Sequence, residues 1–123
     1  MSEISPYKKE NQVLNLAFEF ALKIIEYTEE LEGRKRFNMA NQLFKSGTSI
    51  HANIREAQNA ESKIDFIHKM KIAAKEAEET EGWLMLCKYS KSYPEPDNLL
   101  QNLTSILKLL NKIISTAKQP SAN

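Results

Sequence analysis

The sequence predicts an all-α protein, an antiparallel up-down-up-down four-helix bundle, on three observations. No proline occurs between Pro6 and Pro94, and the 123 residues contain only three glycines. Within that stretch apolar residues recur in steps of three and four, the repeat of one helix face and not of a strand. Breaks at Gly33–Arg36, at Ala60–Glu61 and at Tyr93-Pro94-Glu95-Pro96 divide the pattern into four blocks. Short connections between long helices make consecutive helices antiparallel neighbours.

The first block runs from about Tyr7 to Leu31. Leu14, Ala17, Ala21, Ile24, Thr28 and Leu31 form its seam, and Val13, Phe20 and Tyr27 repeat every seven residues as a second stripe. Gly33 is the expected stop, and Arg34-Lys35-Arg36 forms a basic connection. The second block, about 37–59, has no evident cap. Ala40, Gly47 and Ile54 interleave with Leu43, Ile50 and Ala57 as two series spaced by seven. The phase is unbroken, so one helix runs through Gly47.

Ser62, with Asp65 three residues on, marks the start of the third helix, about 63–91, whose seam is Phe66, Met70, Ala73, Ala77, Thr80, Leu84 and Cys87. Two prolines end it. Asp97 or Asn98 then caps the fourth helix, about 98–118. Its seam is Leu99, Leu103, Ile106, Leu110, Ile113 and Ala117, beside a stripe of Leu100, Leu107 and Ile114. The tail after Lys118 is expected to fray. Residues 1–123 thus form a single domain with one core.

Composition narrows the function. Hydrophobic residues make up 41% and charged residues 27%, a balance suited to a folded domain. Seventeen basic against sixteen acidic side chains leave a net charge of +1, which argues against a dedicated nucleic-acid binder but leaves room for local patches. One cysteine, Cys87, excludes an internal disulfide and falls on an apolar seam. Met1–Pro6 lacks the apolar core of a signal peptide, and no run approaches the roughly 20 apolar residues that span a bilayer. Cytoplasmic residence without membrane association is the expectation.

The stretch from Ser46 to His68 carries the densest pattern. Gly47 costs about 1 kcal/mol in a helix relative to alanine, and Thr48 and Ser49 are mediocre helix formers, so packing or function must offset them. If helices 2 and 3 pair about a tight link, Gly47 falls opposite Ala73-Ala74, one turn from Ala77, and the backbones approach closely. A ligand site and a subunit contact are the competing explanations. Asn53 and Glu56 should meet Asp65 and His68 in a capping and salt-bridge cluster with Ser62. Glu56, Asp65 and His68 are also the residues a metal-dependent bundle enzyme would use, but they supply only an imperfect half of a di-metal carboxylate site. No cofactor, nucleophilic triad, phosphate loop or small-molecule substrate is expected.

Two stripes on each terminal helix suggest a further partner. Val13, Phe20, Tyr27, Leu100, Leu107 and Ile114 are accordingly candidates for a homo-oligomer interface. Arg34, Lys35 and Arg36 are candidates for contact with RNA or another partner.

The run Ser46-Gly47-Thr48-Ser49-Ile50-x-Ala52-Asn53-Ile54-x-Glu56-Ala57, continued by Glu61-Ser62-Lys63-x-Asp65-Phe66-Ile67-His68 and Ala74-Lys75-Glu76-Ala77-x-Glu79-Thr80-x-x-Trp83-Leu84, resembles a bacterial four-helix-bundle family. Its members are encoded in intervening sequences of large-subunit ribosomal RNA genes and often carry a ribosomal-protein-like label. The family in turn resembles the accessory protein of diversity-generating retroelements, which acts beside a reverse transcriptase and RNA. The resemblance implies a ring-shaped homopentamer. This chain departs from the markedly basic retroelement relatives in being nearly neutral. The expected function is a non-enzymatic oligomeric scaffold or adaptor associated with RNA or an RNA-handling protein. A purely structural oligomer and the metal-dependent enzyme are the alternatives.

Overall fold

In the computed structural model, which describes residues 5–120, four helices follow one another: α1 (Gln12–Gly33), α2 (Phe37–Ala57), α3 (Lys63–Tyr89) and α4 (Asp97–Lys118). The expectations placed on residues 1–4 and 121–123 lie outside the described residues. Each helix packs on its sequence neighbour, and α1 closes the ring against α4; diagonal helices make no close approach. The contact is most extensive between α2 and α3 and least extensive between α1 and α4.

Local chemistry sets the ends, and in places it moves them from where periodicity put them. α1 begins at Gln12, not near Tyr7, because Asn11 takes the cap: its Oδ1 accepts from the Leu14 N–H at 3.3 Å. The preceding residues form a strap instead, held by Asn15 Nδ2 donating to the Lys8 carbonyl at 2.8 Å. At the other end Gly33 is still helical, and the left-handed residue is Lys35, with φ 61°. The Arg36 N–H reaches back to the Leu31 carbonyl (2.8 Å) and the Lys35 N–H to that of Glu32 (2.9 Å), a closure that usually employs glycine where Lys35 stands.

α2 runs through Gly47 without a break and starts without a side-chain cap. α3 has its expected cap: Ser62 Oγ accepts from the Asp65 N–H at 3.0 Å, and Asp65 Oδ2 accepts from the Glu61 N–H at 3.3 Å. At α4 neither Asp97 nor Asn98 is the cap. Asp97 is the first helical residue, and its N–H donates to the Glu95 carboxylate.

The core is one continuous cluster drawn from all four helices. Both α1 stripes lie inside it. Val13, Phe20 and Tyr27 are buried along with Leu14, Ala17, Ile24 and Leu31. Ile114 is buried too, and Leu100 and Leu107 are half-buried against the core. This corrects the inference from the double stripes. A helix in a four-membered ring has two neighbours, so α1 presents one stripe to α2, where Ile24 meets Gly47, and another toward α4 and its entry. There Tyr27 Oη donates to the Pro94 carbonyl at 2.6 Å, and Lys23 Nζ donates to Asn102 Oδ1 at 2.9 Å. Of the six residues proposed for a subunit interface, Val13, Phe20, Tyr27 and Ile114 therefore serve the chain's own packing, and Leu100 and Leu107 are covered by it only in part. Cys87, also in the core, is 1% exposed, and burial pushes its thiol above the ordinary range.

Candidate functional site

Three regions hold the residues singled out by sequence, and the first is the Gly47 seam. A Cβ on Gly47 would stand 2.8 Å from Ile24 Cγ1 and 2.9 Å from Cγ2, so the crowding comes from α1 and not from Ala73-Ala74 of α3. The α2–α3 register departs from the expectation as well. The hydroxyls of Ser46 and Thr80 lie 2.8 Å apart, which places α3 about one turn from the position expected of a symmetric link. Thr80 also donates to the Glu76 carbonyl (2.7 Å), so this buried polar pair is satisfied. Ala77 and Ala73 are fully buried beside it. Thr48 Oγ1 donates back to the Phe44 carbonyl at 2.6 Å, while the Ser49 carbonyl accepts from Asn53 Nδ2 at 2.9 Å. The Ser46 and Thr48 hydroxyls are thus engaged with α3 and with their own helix.

The second region is the hairpin end. Lys69 Nζ lies 3.9 Å from Glu56 and 3.8 Å from Asp65, so a lysine stands between the two carboxylates that a metal reading would employ. His68 is exposed, and Asn53 turns back along α2. Among the described residues, no three His, Cys, Asp or Glu side chains gather closely enough to hold a metal ion. The arrangement locks α2 to α3. At these distances and exposures each ion pair stabilises by well under about 1 kcal/mol.

The third region is the opposite end, where the α1–α2 and α3–α4 connections meet. Arg34 donates to the Ser92 carbonyl through Nη1 and to Glu30 Oε2 through Nη2, both at 3.1 Å. Arg36 lays its guanidinium over the Tyr93 ring, 5.4 Å from the centroid, a cation–π contact. Its Nε is buried and finds no acceptor among the described residues. Lys35 is exposed at its left-handed turn, as is Lys91 across the junction. Lys88 is paired with Asp97 at 3.1 Å. Two of the three cations in the basic run therefore clamp the end of the bundle, leaving Lys35 as the outward-facing member.

A further cluster had no sequence signal beyond unassigned aromatics. Tyr7, on the strap, donates or accepts a 2.7 Å hydrogen bond with His51 Nε2 and packs edge-on to Phe18. Burial and the nearby Arg55 lower the His51 pKa, so the ring is held toward its neutral form. This places His51 under an aromatic lid of Tyr7 and Phe18.

Sequence reasoning also missed the apolar side chains that reach solvent. Phe37 (55% exposed), Phe44 (47%), Leu86 (55%) and Tyr89 (78%) are the most informative of these. Phe37 and Phe44 are spaced by seven off the buried seam, a signal available once the seam is subtracted. No helix among the described residues is long and apolar enough to cross a membrane.

Comparison with known proteins adds a family. The 23S rRNA-intervening sequence protein family matches residues 9–112. The chain is also similar to a crystal structure from Bacteroides thetaiotaomicron VPI-5482, described as a protein with unknown function from the S23 ribosomal protein family. That similarity has 42% identity and a TM-score of 0.79, and covers 83% of this chain and 97% of that one. No curated protein matches. With nearly the whole bundle matched in sequence and the same four-helix architecture in the solved relative, the chain belongs to the 23S rRNA-intervening sequence protein family.

Proposed function

We propose that this protein is a non-enzymatic oligomeric helical scaffold, which brings several copies of the bundle to RNA or to an RNA-handling protein in the cytoplasm. The observation that carries this reading is a division of labour among the side chains. The polar groups of the Gly47 seam and the hairpin end are largely engaged within the chain, while Phe37, Phe44, Leu86 and Tyr89 face outward. Large exposed apolar side chains of this kind mark contact surfaces. The ring-shaped homopentamer implied by the family resemblance is the assembly proposed, and Lys35 with Lys91 is the cationic pair that repetition around a ring would multiply.

Sedimentation velocity on the purified chain at micromolar concentration tests the assembly. A discrete oligomer is expected, and a monomer at every concentration overturns the reading. Binding of single-stranded RNA across a salt series tests the partner. Phosphate contacts through Lys35 and Lys91 require affinity to fall steeply with salt. Absence of binding at low salt would remove direct RNA contact and leave a protein as the adaptor's target.

A further inference from the structure

Among the exposed apolar residues two groups differ in charge character, while Ile64, at the start of α3, and Leu22 belong to neither. On the α1–α2 side, a pocket of about 260 Å³ has Ile25, Thr28, Ala40 and Phe44 in its walls and Glu29 and Glu32 at its rim. α1 carries five glutamates against one lysine, Lys23, while α2 contributes the exposed Lys45 next to Phe44. Lys23 turns away to donate to Asn98 and Asn102 on α4.

On the far side of the bundle, the last turns of α3 raise Met85 (42% exposed), Leu86 and Tyr89 from the surface. Lys88 and Lys91 flank this knob, although Asp97 pairs with Lys88. Glu81 and Glu78 stand one and two turns before Met85 on the same helix, while Glu76 and Glu79 lie nearer mid-helix.

Pocket and knob stand at the same end of the molecule. Arg34 reaching Ser92, and Tyr27 reaching Pro94, fix the end of α3 level with the end of α1. They also lie on opposite sides, since the helix order around the ring sets the α1–α2 side across from the α3–α4 side.

We propose that the occupant of the acid-rimmed α1–α2 pocket is the lysine-flanked α3 knob of a second copy of this chain. The inference rests on the oligomeric reading above and assigns its two surfaces. Glutamates meet lysines, and an apolar depression meets an apolar projection. The same pairing disfavours a symmetric contact, because two copies of the pocket would set glutamate against glutamate. A contact between unlike surfaces is head-to-tail and either closes into a ring or grows as a filament. Pocket and knob at one level let bundles standing side by side and parallel repeat without rise, an arrangement that closes.

Two exposed substitutions test this, Phe44→Asp for the pocket and Leu86→Asp for the knob, with helical circular dichroism and melting used to establish folding. Each variant alone is expected to lose self-association by more than about thirtyfold, as for a central interface residue. Mixed in equal amounts, they should form a heterodimer and nothing larger, because each supplies the surface the other lacks. Glu29→Lys with Glu32→Lys should also weaken assembly, with partial recovery on adding Lys91→Glu. Retention of the wild-type assembly by both folded variants would overturn the assignment while leaving the oligomer intact. Failure of the mixture to associate would overturn the head-to-tail arrangement. A monomeric wild type would instead overturn the reading on which it rests.

Discussion

Two glycines sit in the middle of helices, Gly47 on the inner side of α2 and Gly82 on the outer side of α3, and they meet opposite surroundings. A methyl group on Gly47 would enter the branched carbons of Ile24, whereas one on Gly82 would meet nothing within 4 Å. The same residue type therefore has two physical roles. At Gly47 the missing side chain is what allows α1 and α2 to approach. At Gly82 it is only a loss of helix propensity on an exposed turn.

The largest expected effect in breaking this contrast belongs to Gly47→Ala. Propensity alone would favour alanine by about 1 kcal/mol, but overpacking against a β-branched neighbour costs about 1–3 kcal/mol. Urea unfolding should therefore show net destabilisation. Adding Ile24→Ala should cost less in the Gly47→Ala background than in the wild type, since it makes room for the new methyl. Additive effects would mean that the seam relaxes freely.

Thr80→Val probes the polar side of the same seam. It removes the partner of the buried Ser46 hydroxyl, for a loss of about 1–3 kcal/mol in the same measurement. If Thr80→Val is neutral, Ser46 has turned to a carbonyl of its own helix. The smallest effect should come from Gly82→Ala, a gain of up to about 1 kcal/mol visible as a modest rise in melting temperature. Destabilisation there would mean that the outer face of α3 is covered closely enough to exclude a methyl group.

Much of the architecture could be read from residue spacing because helix periodicity is a property of each segment alone. The heptad series through Gly47 correctly gave an unbroken α2, and Ser62 with Asp65 correctly gave the start of α3. Properties that depend on two segments were harder. The neighbour of Gly47 proved to be Ile24, because α2 has two neighbours and periodicity does not say which of them a seam residue faces; the α2–α3 offset likewise depends on how the short link exits one helix and enters the next.

The second stripe of α1 misled for a related reason. Periodicity reports that a face is covered, but not whether the cover comes from the same chain. The basic run Arg34-Lys35-Arg36 likewise has no label in sequence separating its clamping members from its outward one. That distinction comes from Ser92 and Tyr93, more than fifty residues away along the chain. Phe37 and Phe44 could have been recognised as outward-facing, since their phase departs from that of Leu43 and Ile50.

Cys87 gives the molecule a built-in clock. It is the chain's one thiol, lies under Leu84 and Tyr27 in the core, and is kept protonated by burial. A thiol reagent cannot reach it through side-chain motion at the surface and must wait for α3 to separate from its neighbours. The labelling rate of the unmodified protein therefore reports the population of the opened bundle, and at reagent concentrations that outpace reclosing it reports the opening rate itself, with no probe introduced and no residue replaced.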